Sequence, residues 1–219
     1  MKPSLAPCTT LQLRKHSGMK GHQVSIAQQR NVTFIDSVIS RSRVSDVALV
    51  STGVLITALA AQVSIPAFPV PFTLQTLAVL LIGATYGAAR GAITMSVYAL
   101  VGVLGAPVFT EGKGGLEVLL SARGGFIIGF IFAAALIGRM AELKWSSNFL
   151  KMTASFVLGS LAIYAVGIPV LAMLNPKLNS DLIAATVAMS PFFIWDAVKA
   201  VIAGALLPTA WVVVKKIKG

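Results

Sequence analysis

Long apolar runs, separated by short polar segments, limit this chain to few folds. From residue 44 onward, charged residues are sparse and stand mainly between the runs. A helix that spans a bilayer needs about 20 predominantly apolar residues. Only 11% of the residues are charged, whereas a soluble domain carries about 25%. The sequence therefore predicts an all-α integral membrane protein.

Six of these runs predict six transmembrane helices. Three prolines, at positions 66, 69 and 71, predict a stiff and non-helical approach to the second helix. The apolar stretch 182–190 is either an extension of the last helix or a separate interfacial helix. The predicted helices cover residues 44–65, 73–88, 89–104, 124–140, 149–174 and a final stretch that begins near Pro191.

The distribution of Lys and Arg predicts the orientation. With a cytoplasmic N-terminus and six spans, 14 of the 18 basic residues fall inside, three fall outside, and Lys199 lies within the membrane. This asymmetry follows the positive-inside rule, and an odd number of spans would remove it. Both termini are therefore predicted to be cytoplasmic, in a multi-pass protein of the cytoplasmic membrane. The net charge of +11 is assigned to topology and anionic lipid headgroups, not to nucleic acid.

The chain divides into a membrane domain and two tails. Residues 1–43 are polar and basic, with no acidic residue before Asp36, and are predicted to be a disordered tail. The alternatives are a start farther downstream, for instance at Met19, or an organelle transit peptide. Residues 44–215 form the predicted membrane domain, and residues 216–219 form a short basic tail.

The sequence predicts no metal site, no cofactor and no nucleotide hydrolysis. Cys8 is the one cysteine, and both histidines lie in the tail, so a cluster of metal ligands is not expected. Gly112-Lys113 is followed by glycine, not by the Ser or Thr of a phosphate-binding loop. The chain is not expected to be an enzyme.

Asp196 and Lys199 stand three residues apart inside the last apolar run. A charge at the centre of a membrane helix costs about 2.5–3.5 kcal/mol on insertion scales. An i,i+3 pair recovers only about 0.2–0.5 kcal/mol in water. We therefore expect the two charges to have a function, and the interpretation we favour is that they bind a polar substrate.

Two further polar residues are candidates with open alternatives. Gln75 lies just inside the outer membrane face, where its amide either caps the second helix or binds a ligand. Tyr98 either packs within the third helix or lines a site. The segment 105–123 is rich in glycine and has an apolar middle, so it is either a lid with glycine hinges or a plain linker.

Small residues recur every fourth position in the first helix, at Gly53, Thr57 and Ala61. Such a stripe lets two membrane helices approach closely. It serves either packing within the domain or docking to another membrane subunit, and both alternatives stay open.

Several separated segments resemble the signature motifs of one family. In chain order they are Phe68-Pro-Val-Pro-Phe-Thr-Leu-Gln-Thr-Leu-Ala-Val-Leu-Leu-Ile-Gly, Gly102-Val-Leu-Gly-Ala-Pro-Val-Phe, Gly112-Lys-Gly-Gly-Leu, Gly124-Gly125, and Pro191-Phe followed by Asp196-Ala-Val-Lys199-Ala. On these motifs the chain resembles the BioY family, whose members are the biotin-specific substrate-binding (S) components of energy-coupling factor (ECF) transporters. The resemblance covers roughly residues 62–205.

The resemblance implies a six-helix membrane protein that binds biotin near its outer face. Energy would come from a transmembrane coupling protein and two ABC-type ATPases. Carried over by position, the implied pocket residues are Gln75, Tyr98, Gly115, Gly125, Asp196 and Lys199.

The chain departs from the family at Ala122-Arg123-Gly124-Gly125-Phe126, where the family usually has Pro-Thr-Gly-Gly-Tyr. The departure removes a tyrosine hydroxyl and adds a guanidinium, so Arg123 joins the predicted pocket residues. Biotin offers two ureido N–H donors, an apolar ring and a carboxylate. Asp196 is expected to accept from the N–H groups or to orient Lys199. Either Lys199 or Arg123 is expected to face the carboxylate.

Three alternatives remain at this point. The first is an S component for another small vitamin. The second is a membrane enzyme that uses Asp196 and Lys199 as acid and base. The third is a structural subunit of a membrane complex, which would bind no small molecule.

Overall fold

A computed structural model describes residues 33–40 and 42–218. Within these residues the fold is helical, apart from short 3-10 turns and a two-stranded antiparallel ribbon in which β1 (Ser64–Ile65) pairs with β2 (Phe72–Thr73). The helices are α1 Phe34–Val38, α2 Arg43–Gln62, α3 Gln75–Tyr86, α4 Ala88–Val103, α5 Leu116–Leu119, α6 Gly124–Glu142, α7 Phe149–Leu174, α8 Leu182–Ala188 and α9 Ser190–Lys218.

All six predicted apolar stretches are helical. Within the part of the chain that the structure describes, four helices are long and apolar enough to cross a membrane: α2, α6, α7 and the part of α9 at residues 190–210. The two others, α3 and α4, have 12 and 16 residues, which is shorter than the usual span. The number of crossings and the side of each terminus stay predictions.

The structure describes only part of each of the two predicted tails. Residues 1–32 and 41 of the N-terminal tail lie outside them, as does Gly219. The described part of the N-terminal tail includes α1, whose first turn is capped by the Thr33 hydroxyl. At the other end α9 continues to Lys218, so the basic residues that follow residue 215 extend the helix.

The proline-rich segment forms the turn of the β1–β2 ribbon. Its three prolines lie between the paired strands, where the missing N–H groups cost no ladder hydrogen bond. The ribbon ends beside α3, with the Leu74 N–H donating to the Val63 carbonyl at 3.2 Å. Because Phe72 and Thr73 pair as a strand, α3 begins at Gln75, two residues later than predicted.

Glycines and alanines bring α3, α4 and α6 into close contact. A Cβ on Gly83 would lie 2.7 Å from the Ala134 carbonyl oxygen. A Cβ on Gly91 would lie 3.2 Å from the Gly83 Cα. Small residues at such crossings are the usual basis of tight packing between helices in lipid. The short helices α3 and α4 therefore pack firmly against α6.

The small stripe of α2 lies inside the molecule. Gly53, Thr57 and Ala61 are the buried residues of this helix, and a Cβ on Gly53 would lie 2.6 Å from a methyl of Thr94 on α4. These contacts correspond to the packing alternative. Docking through the same three residues would require α2 to separate from its neighbours.

The stretch before α9 is a helix of its own. The Asp181 carboxylate caps α8 by accepting from the N–H groups of Ile183 and Ala184. A turn at Met189 then separates α8 from α9. The extension alternative is therefore wrong, whereas the interfacial alternative stays a prediction.

A buried cation holds α1 and α2 to α4. Arg90 lies on α4 and forms ion pairs of 2.7 Å with Asp36 of α1 and with Asp46 of α2. Burial alone would raise the pKa of Asp36, but hydrogen bonds from Thr33 and Arg90 and the positive charge of Arg90 together hold it below its ordinary value. The ionised pair thus ties the chain before α2 to the helical core.

Candidate substrate-binding site

A cleft lies among the β1–β2 ribbon, residues 105–123 (called the outer loop after the side of the membrane predicted for it) and helices α3, α6, α7 and α9. The empty space between its walls is about 710 Å³ when the part open to solvent is included. Its walls are mainly apolar and aromatic, as such pockets usually are. The polar residues that line it are Thr73, Gln75, Thr76, Thr110, Arg123, Tyr164, Asp196 and Lys199.

Aromatic rings form one wall of the cleft. Phe72 and Phe192 line the cleft and stack with centroids 4.1 Å apart and planes 8° from parallel. Trp195, which does not itself line the cleft, meets the Phe72 ring edge-on at 6.2 Å. The Lys199 ammonium lies 5.6 Å from the Phe72 centroid, within cation–π range. The wall therefore combines a flat apolar surface with a cation at its edge.

Asp196 and Lys199 pair as their spacing predicts. The Lys199 Nζ lies 3.0 Å from Asp196 Oδ1, and their side chains are 13% and 7% exposed. The same ammonium donates to the Thr73 carbonyl at 2.9 Å and to the Thr76 hydroxyl at 3.0 Å. An ammonium has three donors, so three protein oxygens account for all of them.

Tyr164 completes this cluster, and the sequence analysis missed it. Its hydroxyl, on α7, donates a short hydrogen bond to Asp196 Oδ2. Thr76 in turn donates to Asp196 Oδ1 at 3.3 Å. A tyrosine in the middle of an apolar helix was the available signal, because a buried hydroxyl needs a partner. Nothing in the sequence indicates which residue that partner is.

Gln75 lines the cleft and connects it to Tyr98. The Gln75 side-chain amide donates to the Tyr98 hydroxyl at 2.8 Å, and that hydroxyl donates to the Val108 carbonyl at 2.9 Å. The side chain does not cap α3, so the capping alternative is wrong. Tyr98 is fully buried and lies behind Gln75, where it fixes the amide and the start of the outer loop.

The outer loop is anchored over the site and is not a plain linker. The Phe109 ring is 2% exposed and meets Tyr98 edge-on at 5.5 Å. Gln62, at the end of α2, donates to the Phe109 carbonyl at 3.1 Å and accepts from the Gly112 N–H at 2.9 Å. These contacts place Phe109, Thr110 and Val118 on the cleft wall.

Arg123 lies at the mouth of the cleft, paired with an acidic residue of the outer loop. Its Nη1 lies 3.2 Å from Glu111 Oε2, and the Lys113 ammonium lies 2.6 Å from the same oxygen. Hydrogen bonds from Lys113 and then Arg123 hold the pKa of Glu111 below its ordinary value, so this carboxyl is ionised at neutral pH. The side chain of Arg123 is 30% exposed, and its remaining donors can reach a ligand.

The structure brings four of the seven predicted site residues to the cleft wall: Gln75, Arg123, Asp196 and Lys199. Two predicted glycines do not line it. Gly115 donates its N–H to the Gly102 carbonyl at 2.7 Å. Its φ is +102°, a backbone conformation that favours glycine. A Cβ on Gly125 would lie 2.6 Å from Val170 of α7. Both glycines shape the frame around the cleft.

A model of the BioY family matches residues 29–216 of this sequence. The chain belongs to the BioY family. It is similar to the biotin transporter BioY of Thermotoga maritima, 41% identical over 143 residues, which are 65% of this chain and 82% of the relative. It also resembles the biotin transporter BioY of Rhodobacter capsulatus, 37% identical over 164 residues, which are 71% of this chain and 86% of the relative.

A solved structure shares the fold. The S-component for biotin from an ECF-type ABC transporter, a crystal structure at 2.1 Å, superposes with a TM-score of 0.66 over 78% of this chain and 94% of that one. The two sequences are 23% identical, so this likeness concerns the fold alone. Together with the four apolar helices, BioY membership makes the protein a multi-pass integral membrane protein.

Proposed function

We propose that this BioY family member binds biotin and takes it up across the cytoplasmic membrane as the S component of an ECF-type transporter. The observation that carries the proposal is the buried cluster of Asp196, Lys199, Thr76 and Tyr164 on the wall of an otherwise apolar cleft. The related proteins are named as biotin transporters, which supports transport over the enzyme alternative.

The hydrogen bonds suggest how biotin lies in the cleft. Asp196 Oδ2 receives one bond, from Tyr164, and a carboxylate oxygen has room for two. A ureido N–H can therefore approach Asp196, with the Gln75 amide on the same wall. Because the Lys199 donors are all occupied by protein oxygens, Arg123 is the better partner for the biotin carboxylate. Lys199 then orients and neutralises Asp196.

The proposal includes the topology and the partners. Six membrane-spanning helices would leave both termini in the cytoplasm, where an ECF transmembrane coupling protein and two ABC-type ATPases would act. The outer loop, held by Gln62 and Phe109, would open and close over the bound vitamin. The predicted docking stripe on α2 is buried, so docking through it would have to follow a displacement of α2.

Binding of labelled biotin to the purified protein tests the site. We expect Asp196→Asn and Lys199→Met each to weaken binding at least tenfold, because each leaves a buried charge without its partner. Lys177→Met, which removes an outer lysine that does not line the cleft, is the matched control. Unchanged affinity in both site variants would contradict the proposed site. Uptake measured with and without the ATPase module then tests transport.

Another small vitamin is the second candidate within the same class. The aromatic wall and the few convergent polar groups would suit other heterocycles. A competition panel of biotin, thiamine and riboflavin against labelled biotin decides between them. Displacement by biotin alone supports the proposal, and stronger displacement by either of the others contradicts it.

A further inference from the structure

The guanidinium at the mouth of the cleft is already paired with an anion of the protein. Glu111 Oε2 contacts both Arg123 Nη1, at 3.2 Å, and Lys113 Nζ, at 2.6 Å. Arg123 lines the cleft, whereas Glu111 and Lys113 do not. One carboxylate oxygen is thus shared between a cation that lines the cleft and a cation that does not.

The backbone holds Glu111 at this place. Its φ is +67° and that of Gly112 is +66°, a left-handed conformation that a glutamate adopts only where its surroundings enforce it. The surroundings are the backbone pairing of Phe109 with Lys113 and two hydrogen bonds with the Gln62 side chain, which donates to the Phe109 carbonyl and accepts from the Gly112 N–H. The loop therefore presents the Glu111 carboxylate to Arg123 from a fixed point.

A second glutamate in the same loop provides a contrast. Glu117 lies in the first turn of α5 and forms no ion pair with any side chain that the structure describes. It is also absent from the wall of the cleft. Both glutamates thus belong to the same loop, but of the two only Glu111 contacts Arg123.

Building on the proposed function, we propose that Glu111 is an internal competitor for the substrate carboxylate on Arg123. An anionic ligand replaces Glu111 on the guanidinium, and Glu111 keeps its closer partner, Lys113. When the ligand leaves, Glu111 pairs with Arg123 again, which promotes release. A ligand with a neutral tail leaves the Arg123–Glu111 pair in place and gains nothing from Arg123.

The competition has a measurable consequence. Without the Glu111 charge, a ligand carboxylate no longer displaces an ion pair and no longer meets a neighbouring negative charge. Partly exposed ion pairs of this kind are worth up to about a fivefold change in affinity. Glu111→Gln should therefore tighten biotin binding about fivefold, mainly through slower dissociation, and should leave the binding of biotin amide unchanged.

The experiment measures the affinity and dissociation rate of biotin and of biotin amide on the full-length protein in lipid nanodiscs. The variants are Glu111→Gln, Arg123→Gln and the double variant, with Glu117→Gln as the charge-matched control. Arg123→Gln should weaken biotin binding but not the binding of its amide. In the double variant the effect of Glu111→Gln should disappear, because the two residues act through one contact.

The results separate this inference from the proposed function. If the unmodified protein binds neither biotin nor its amide, the proposed function fails. If it binds both but Glu111→Gln leaves biotin binding unchanged or weaker, the competitor role is refuted while biotin binding stands. An equal gain for biotin and its amide, or the same gain in Glu117→Gln, also refutes it, because the effect would not arise at Arg123.

Discussion

At the residue scale, the chemistry of the cleft depends on which hydrogen-bond donors are already in use. Lys199 is the obvious cation in the sequence, but its ammonium is fully engaged by Thr73, Thr76 and Asp196. Arg123 is placed at the mouth and has donors beyond its contact with Glu111. We infer that Lys199 orients and neutralises Asp196, whereas Arg123 contacts the carboxylate of the ligand.

Tyr164→Phe should weaken biotin binding about tenfold. The variant removes the hydroxyl that donates to Asp196 Oδ2, and hydrogen bonds to charged groups contribute about 1.5–3 kcal/mol. Without the Tyr164 hydroxyl, the Asp196 carboxylate keeps hydrogen bonds at Oδ1 only. It is then less well oriented for a ureido group. Tyr86→Phe is the matched control, because Tyr86 is also buried but does not line the cleft. Equal affinities for the two variants in a labelled-biotin assay would contradict this role for Tyr164.

Asp36→Asn should destabilise the protein at neutral pH and reduce its sensitivity to acid. The pKa of Asp36 lies below its ordinary value in the folded protein, so its ionised pair with Arg90 adds stability above the unfolded pKa of about 3.9. That contribution is lost as the pH falls through the folded pKa.

The unfolding temperature in detergent between pH 3 and pH 7 checks this prediction. We expect the unmodified protein to lose more stability on acidification than Asp36→Asn does. Asp181→Asn is the control, since asparagine caps a helix about as well as aspartate. The expectation is wrong if the two variants and the unmodified protein show parallel curves.

The sequence predicted part of this site, and the missing part has a physical reason. Asp196 and Lys199 are visible because charges are costly in an apolar run and three residues apart on a helix they must meet. Tyr164 lies 32 residues from Asp196 along the chain, so no local rule joins them. Gly125 and Gly115 were predicted from the family pattern, which records that a residue matters but not whether it touches ligand or backbone.

At the scale of elements, hydropathy located the helices and the contacts between them decided their ends. The predicted helix 149–174 is observed as α7 with the same bounds. The start of α3 moves to Gln75 because the residues before it pair as a strand. The separation of α8 from α9 depends on the turn at Met189, which an apolar run does not reveal.

Gly83→Val should destabilise the packing of α3 against α6. A Cβ at residue 83 would lie 2.7 Å from the Ala134 carbonyl oxygen and 2.9 Å from its Cα, and backbone atoms cannot rotate away as a side chain can. Overpacking of this kind costs about 1–3 kcal/mol, and more where the backbone must shift. We expect a clearly lower unfolding temperature in detergent. Ser96→Val on the exposed face of α4 should leave that temperature nearly unchanged, and a similar loss in both variants would contradict the close contact.

At the scale of the whole molecule, the ribbon and the outer loop both contribute residues to the wall of the cleft. The ion pairs of Arg90 lie on α4, at its first turn, whereas the cleft contacts involve the loop that follows the last turn of α4. The contacts to the loop of the cleft and the ion pairs to the N-terminal segment therefore lie towards opposite ends of α4. If α4 crosses the membrane, the two lie on opposite sides of it, as the charge distribution predicts.

Thiol labelling can test this arrangement with the single natural cysteine. Cys8 lies in the N-terminal tail, which is predicted to be cytoplasmic, so a membrane-impermeant maleimide should not label it in intact cells and should label it after permeabilisation. In a Cys8→Ser background, Lys113→Cys should be labelled in intact cells, because Lys113 is half-exposed in the loop predicted to face outward. A cysteine appended after Gly219 should behave like Cys8 if the number of spans is even. Labelling of only one of these two cysteines in intact cells would mean an odd number of spans, and labelling of both would mean that the orientation is the reverse of the predicted one.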